Sequence, residues 1–342
     1  MSGTTILSLV IALVGGCLIS LVLTPVAGWL GRRTGLVDRP RAGELQTSVT
    51  PRSGGYALVA AFLLAAGISL ALVPHPADEW LRIVGLMAGI ALVIPIAIID
   101  DAVRLGPFPQ LIGQLGLAAL AMLFGLVIWN IANPFGGLII LPGIIAVPFT
   151  LFWIVGMINT MNFIDTMDGL AAGVAAIAGF VLFARSIALG QYTIAVLPLA
   201  LTGACIGFLR YNFNPARIFM GTSGSMFLGF SLAILALIGG AKIATAAFVL
   251  GLPIIDTALV IIRRSAHRRS PFIGGDDAHL PHRLVARGLS ARRIALLIYG
   301  VCAVGGVLAM TLNGVQKLWV LALVGVIAVV FAARYVIVSP TE

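Results

Sequence analysis

Two asparagines and two aspartates stand together in Asn159–Leu170 (Asn-Thr-Met-Asn-Phe-Ile-Asp-Thr-Met-Asp-Gly-Leu), at the end of an apolar run. Carboxylates are expensive at membrane depth, so their presence asks for a use. Asp165 and Asp168 are three positions apart, which on a helical turn puts both on one face, able to hold one cation or one polar ligand. A solvated helix cap is the structural alternative, because Asn and Asp favour helix ends. Asp100-Asp101 closes another apolar run. Adjacent carboxylates can bind Mg²⁺, or one can act as general base while its neighbour binds the cation. Charges that stop a helix at the interface, or an ion relay in a transporter, are the competing readings.

Three further stretches carry chemistry. In Asn214–Ser225, Gly221, Gly224, Thr222, Ser223 and Ser225 can present N–H groups and hydroxyls to phosphate at a helix start beside Arg217, although such turns also simply begin membrane helices. Phe219 there can stack on a base or pack at the interface. Asp276–Leu284 concentrates two acids with His279, His282 and Arg283, suited to a metal or a pyrophosphate; no further His or Cys completes a zinc set, and a solvated basic loop is the alternative. Arg52 stands beside Gly54-Gly55, a pair that lets backbone approach a ligand closely. Asp256, within an apolar span after Pro253, is either functional or an interhelical hydrogen-bond partner.

The elements that must position these residues are membrane helices. The chain has 342 residues, 60% hydrophobic and only 10% charged, with mean hydropathy +1.12. That much apolar surface exceeds what one water-soluble core can hide. Taking about 20 residues per crossing, spans centre near 17, 65, 91, 119, 153, 179, 200, 232, 252, 302 and 327, about eleven helices in an all-α polytopic membrane protein. No linker or low-complexity run divides residues 1–342, so one domain is expected. Cys17, Cys205 and Cys302 are scattered in apolar segments as small buried hydrophobes. The first segment, roughly Thr5 to Leu30, is too long for a signal-peptide core and is expected to be a retained helix.

The net charge of +9 sits in short loops, where membrane orientation explains it better than nucleic acid does. Arg32, Arg33, Arg39, Arg41 and Arg52 fall in the first loop, Arg104 in the third, Arg210 and Arg217 in the seventh, and eight more from Arg263 to Arg293 around the ninth. The positive-inside rule therefore makes odd-numbered loops cytoplasmic, with the N-terminus outside and the C-terminus inside. By the same parity the polar clusters converge on one cytoplasmic site.

These pieces, in this order, resemble the polyprenyl-phosphate N-acetylhexosamine-1-phosphate transferases, the MraY- and WecA-like family of bacterial inner-membrane enzymes. The resemblance covers most of the chain: Val37-Asp-Arg-Pro with Pro51-Arg-Ser-Gly-Gly, Asp100-Asp101 with Gln114, Asn159–Leu170, Pro215-Ala-Arg-Ile-Phe-Met-Gly with Gly224-Ser225, Pro253-Ile-Ile-Asp-Thr, and His279-Leu-Pro-His-Arg-Leu. It implies transfer of a sugar-1-phosphate from a UDP-sugar to undecaprenyl or decaprenyl phosphate, with release of UMP and use of Mg²⁺, or Mn²⁺ in its place. It further implies catalytic roles for Asp100, Asp101 and Asp168, and substrate contacts for Asn162, Asp165, Phe219, Arg52, His279, His282 and Arg283. The cation would lie with Asp101, Asp165, Asp168 and Thr222, and the lipid bilayer and a second copy of the chain are its expected partners. Departures from the family pattern are Thr222 for the usual Asp, Gln110 for a basic residue, Gly43-Glu-Leu-Gln46 in the first loop, Thr166 for Gly and Pro281 for His. A binding-only relative, acting as a regulatory or scaffold subunit, is the alternative those departures raise, and an ion-coupled transporter ranks last.

Overall fold

The computed structural model describes residues 2–39, 49–103, 105–239, 242–266 and 279–337. Arg41, the Gly43 to Gln46 segment, Arg104 and Asp276 lie outside them. Helix α1 (Gly3–Val10) continues through one π-helical turn, Ile11–Gly15, into α2 (Gly16–Thr34). There follow α3 (Gly54–Ala71), α4 (Ala77–Val103), α5 (Pro107–Leu123), α6 (Gly143–Ile164), α7 (Leu170–Ala188), α8 (Val196–Asn212) and α9 (Gly221–Leu235). The rest are α10 (Ile243–Val249), α11 (Gly251–Ala266), α12 (Leu280–Ala286), α13 (Ala291–Thr311) and α14 (Gly314–Ile337). Two short antiparallel pairs interrupt them: β1 (Val37–Asp38) with β2 (Thr50–Pro51), and β3 (Asn130–Ala132) with β4 (Leu138–Ile140).

The architecture is the expected all-α, polytopic one. Six helices are long and apolar enough to cross a membrane, and α10 with α11 makes a seventh crossing when counted as one span. The shorter apolar helices α5, α8, α9 and the start of α14 stand at the remaining predicted positions. The ninth span differs from a straight rod: α10 and α11 meet at 76° across Leu250. Pro253 falls in the first turn of α11, where its missing N–H costs no helical bond, so the second half starts afresh.

Between apolar helices in lipid there is little hydrophobic drive, and close backbone contact takes its place. A Cβ on Gly203 of α8 would meet the carbonyl of Leu13, and one on Gly207 the carbonyl of Cys17, so this pair of spans packs backbone to backbone. Large side chains fill the wider gaps: Phe62 and Phe227 rings lie 5.4 Å apart, and Phe230 is fully buried beneath Gly89. Leu18, Val22, Ile98 and Phe152 are exposed, the apolar exterior that a bilayer covers. Polar side chains gather at the two ends of the bundle. One end carries the finishes of α2, α4, α6, α8 and α11 and the starts of α3, α5, α7, α9, α12 and α13.

Candidate active site

Asp100 and Asp101 end α4, and their carboxylates turn to different neighbours. Asp101 Oδ2 accepts from the Tyr56 hydroxyl at 3.0 Å, while Arg52 Nη2 lies 3.5 Å from Oδ1 and donates to the Asp101 carbonyl at 3.2 Å. Asp100 Oδ1 accepts from the Gln110 amide at 2.8 Å and from the Leu105 N–H at 3.1 Å. Gln110, standing where the resemblance expects a basic residue, thus meets Asp100 through a neutral amide hydrogen bond. Further along α5, buried Gln114 exchanges amide bonds with Asn159 of α6, the shorter being Asn159 Nδ2 to Gln114 Oε1 at 2.6 Å.

Helix α6 stops at Asp165, whose φ and ψ of −76° and 41° leave the helix. Gly169, at φ +77°, reverses the chain into α7; a Cβ there would also press on Phe213. The tight turn between them carries both acids. Asp168 Oδ2 accepts from the Asn214 side chain and the Ala216 N–H, each at 2.9 Å, so half of this carboxylate fastens the segment after α8. The Gly169 N–H donates to Asn212 and its carbonyl accepts from Tyr299 of α13 at 2.6 Å. Asn162 Oδ1 accepts from Ser225 of α9 at 3.0 Å. Asp165 makes no hydrogen bond or ion pair among the described residues, and desolvation together with the Asp168 charge pushes its carboxyl well above the usual carboxylate range.

The Gly-rich pairs correct one expectation. Gly54-Gly55 does not approach a ligand; it approaches protein. A Cβ on Gly55 would strike Gly224 backbone and Ser223 Oγ, and Gly54 and Gly55 donate to the carbonyls of Phe219 and Met220 at 3.0 and 2.8 Å. Phe219 N–H in turn donates to Pro51 at 2.8 Å. This strap leaves Phe219 half-buried and sets Arg52, Thr222 and the start of α9 side by side. Asp256 takes the structural reading: Oδ2 pairs with His279 Nδ1 and Oδ1 accepts the Leu280 N–H, both at 2.9 Å, orienting the histidine and capping α12. His279 also packs 5.5 Å from Phe163, over which Arg264 lies. His282 and Arg283 follow half-buried in the same short helix.

All six sequence stretches therefore meet at one end. Sequence reasoning missed Tyr56, Asn214, Arg264 and Tyr299; the first was marked only by lying one residue beyond the glycine pair. Among the described residues no three His, Cys, Asp or Glu side chains stand close enough to hold a metal by themselves. Among the described residues, what remains open are Asp165, Asp100 Oδ2, Asp168 Oδ1 and the buried hydroxyl of Thr166. The acids that act on each other are Asp165 and Asp168, and a pair of carboxylates is the donor type that Mg²⁺ commonly takes, completing its shell with water and substrate phosphate. Beside it a cavity of about 110 Å³ is lined by Pro107, Gln110, Gln114, Asn159, Asn162 and Phe163.

Comparison with known sequences decides the family. A probable undecaprenyl-phosphate N-acetylglucosaminyl 1-phosphate transferase of Bacillus subtilis is 34% identical over 332 residues, 94% of this chain and 90% of that protein. The chain belongs to glycosyl transferase family 4. Residues 83–240 match the profile of that family directly, a range that includes Asp100, Asp101, Asp165, Asp168 and Thr222. The decaprenyl-phosphate N-acetylglucosaminephosphotransferase of Mycolicibacterium smegmatis is 33% identical over 94% of this chain and 87% of its own length. A phospho-N-acetylmuramoyl-pentapeptide-transferase of Clostridioides difficile is 35% identical over 62% of the chain. Within this glycosyl transferase family 4 chain, Arg52, Asp256 and His279 lie outside the profile range, yet the bundle joins them to it through Asp101 and Phe163.

Proposed function

We infer that this protein transfers N-acetylglucosamine-1-phosphate, or a closely related N-acetylhexosamine-1-phosphate, from a UDP-sugar to undecaprenyl or decaprenyl phosphate. The observation that supports it most is the meeting of all six polar stretches at one end of a membrane bundle, in a chain whose full-length relatives carry names of that chemistry. An oxygen of the lipid phosphate bonds to the sugar-bearing phosphorus, the bond from that phosphorus to the bridging oxygen breaks, and UMP leaves. Both reactants are anions, so the site must offset charge and hold them in line.

The chain's own residues supply that. Arg52 is held by Asp101 at the mouth, and Arg264 and Arg283 add positive charge beside His279 on the far side. Asp100, with Oδ2 open, is placed to take a proton from the incoming lipid phosphate when that is protonated. Asn162 and Phe219 face the nucleotide, and His279, His282 and Arg283 the sugar diphosphate. Asp165 and Asp168 would hold Mg²⁺ or Mn²⁺, with Thr222 a neutral oxygen of the same end, whereas Asp101, expected with them from the sequence, has its carboxylate oxygens turned to Tyr56 and Arg52; the cation would supply charge neutralisation on the transferring phosphoryl group. The distribution of arginines supports a cytoplasmic site, with the N-terminus on the opposite side of a bacterial inner membrane.

The binding-only alternative is not favoured, because a relative named as a transferase aligns over 94% of the chain. Purified protein given UDP-N-acetylglucosamine, undecaprenyl phosphate and Mg²⁺ should release UMP; chelation should stop it and Mg²⁺ or Mn²⁺ restore it. No UMP from any UDP-N-acetylhexosamine, with release restored by Thr222→Asp, would reverse the assignment.

A further inference from the structure

Far from the acids, at the other end of the same helix, stands Arg82. With 1.5 Å rise per residue, the stretch of α4 from Arg82 to Asp100 is about 27 Å long, close to the thickness of a bilayer's hydrocarbon core. Arg82 is half-buried and makes no hydrogen bond or ion pair among the described residues. Its helical neighbour Asp78, four residues earlier and exposed, is the usual partner for an arginine so placed, and the two are not paired. Arg82 instead lines a cavity of about 110 Å³ with Gly125–Asn130, Leu237 and Ile243.

The chemistry of that lining is one-sided. Neither the Trp129 indole N–H nor the Asn130 amide has a partner among the described residues, and no carboxylate lines the cavity. Trp129 is 49% exposed, and Trp80, two residues before Arg82 on the helix, is 50% exposed; such half-wet tryptophans mark the level of lipid headgroups. A half-buried guanidinium facing a small cavity, with further N–H donors and no acid, is complementary to a tetrahedral oxyanion.

We propose that Arg82, Trp129 and Asn130 form a phosphate-binding site at the end of the bundle opposite the catalytic loops, which takes the phosphodiester of an anionic phospholipid headgroup. The shared chemistry is the phosphate group, and a free phosphate ion is the other source. The site is independent of the transfer reaction and would stand if that assignment fell.

Native mass spectrometry of the full-length protein, released from nanodiscs of phosphatidylcholine with or without phosphatidylglycerol, tests it. Wild-type protein is expected to retain phosphatidylglycerol over phosphatidylcholine, Arg82→Gln to retain about tenfold less, and Arg82→Lys to fall between. Asp78→Asn, outside the cavity, should match wild type, and an unchanged Tm and a single symmetric size-exclusion peak for all variants report that they are folded. Equal retention by wild type and Arg82→Gln would overturn the site. Loss of the retained lipid on adding inorganic phosphate, in wild type alone, would keep the site and assign it to the free ion.

Discussion

The two ends of the bundle handle charge in opposite ways. At the far end Lys242, only 2% exposed, donates to Ser186 at 2.7 Å and to the Ile238 carbonyl at 3.1 Å, and Glu79 accepts from Thr193 at 2.7 Å with His75 at 3.6 Å. At the catalytic end, among the described residues, Asp165 has no hydrogen bond or ion pair and Asp100 and Asp168 each keep one oxygen unbonded. A polar group whose bonding is finished holds the fold together; one left open is waiting for something. Arg82 departs from that pattern at the far end, and so do the buried Arg185 Nε and Gln191 Oε1, which meet no hydrogen-bond partner among the described residues.

The largest effect that sharpens this contrast is on turnover. Asp165→Asn and Asp168→Asn should each lower kcat for UMP release by about 10³-fold or more, whereas Lys242→Met should leave kcat near wild type. A tenfold loss in Lys242→Met, or none in Asp165→Asn, would dissolve the distinction.

Next comes the glycine contact. Gly55→Ala puts a methyl into Gly224 and Ser223, and should cost about 2 kcal/mol with a matching fall in Tm and in activity. Gly67→Ala, on the same helix with open space around its Cβ position, should do neither.

Lys242 gives a pH signature. Desolvation first, then the Arg185 charge, lowers its ammonium from 10.5 to about 8 in the folded protein. Between about pH 8 and 10.5 the unfolded chain therefore holds a proton that the folded one does not, so stability rises with pH there, by up to about 1.4 kcal/mol per pH unit. Thermal unfolding across that window should show the rise, and Lys242→Met should flatten it.

The smallest effect runs against intuition. Because burial raises the Asp165 pKa, its ionisation above the unfolded value of 3.8 destabilises the cation-free protein at neutral pH. Asp165→Asn should then raise Tm by a few degrees without metal, and Mg²⁺ should raise Tm in wild type only.

Much of this was legible in the sequence, because the signals were local. Hydropathy gave eleven helical positions that the structure reproduces, and loop parity foretold that Asp100, Asn162, Asp165, Phe219 and His279 would share an end. The break at Leu250 was not legible, since Pro253 is equally at home in a kinked or a freshly started helix. Nor were Tyr56 with Asp101 and Asn214 with Asp168, pairs 45 and 46 positions apart, for which no periodicity speaks. Gly54-Gly55 was read for the right property and the wrong partner: small size serves close approach, and sequence does not say to what.

That strap of Pro51–Gly55 against Phe219–Gly224 has a further consequence. Three backbone hydrogen bonds and a contact without side chains lock Arg52 to the start of α9 before any substrate arrives. The conformational entropy of aligning an arginine from one loop with an aromatic ring from another, more than 160 positions on, is lost during folding and not again during each catalytic cycle.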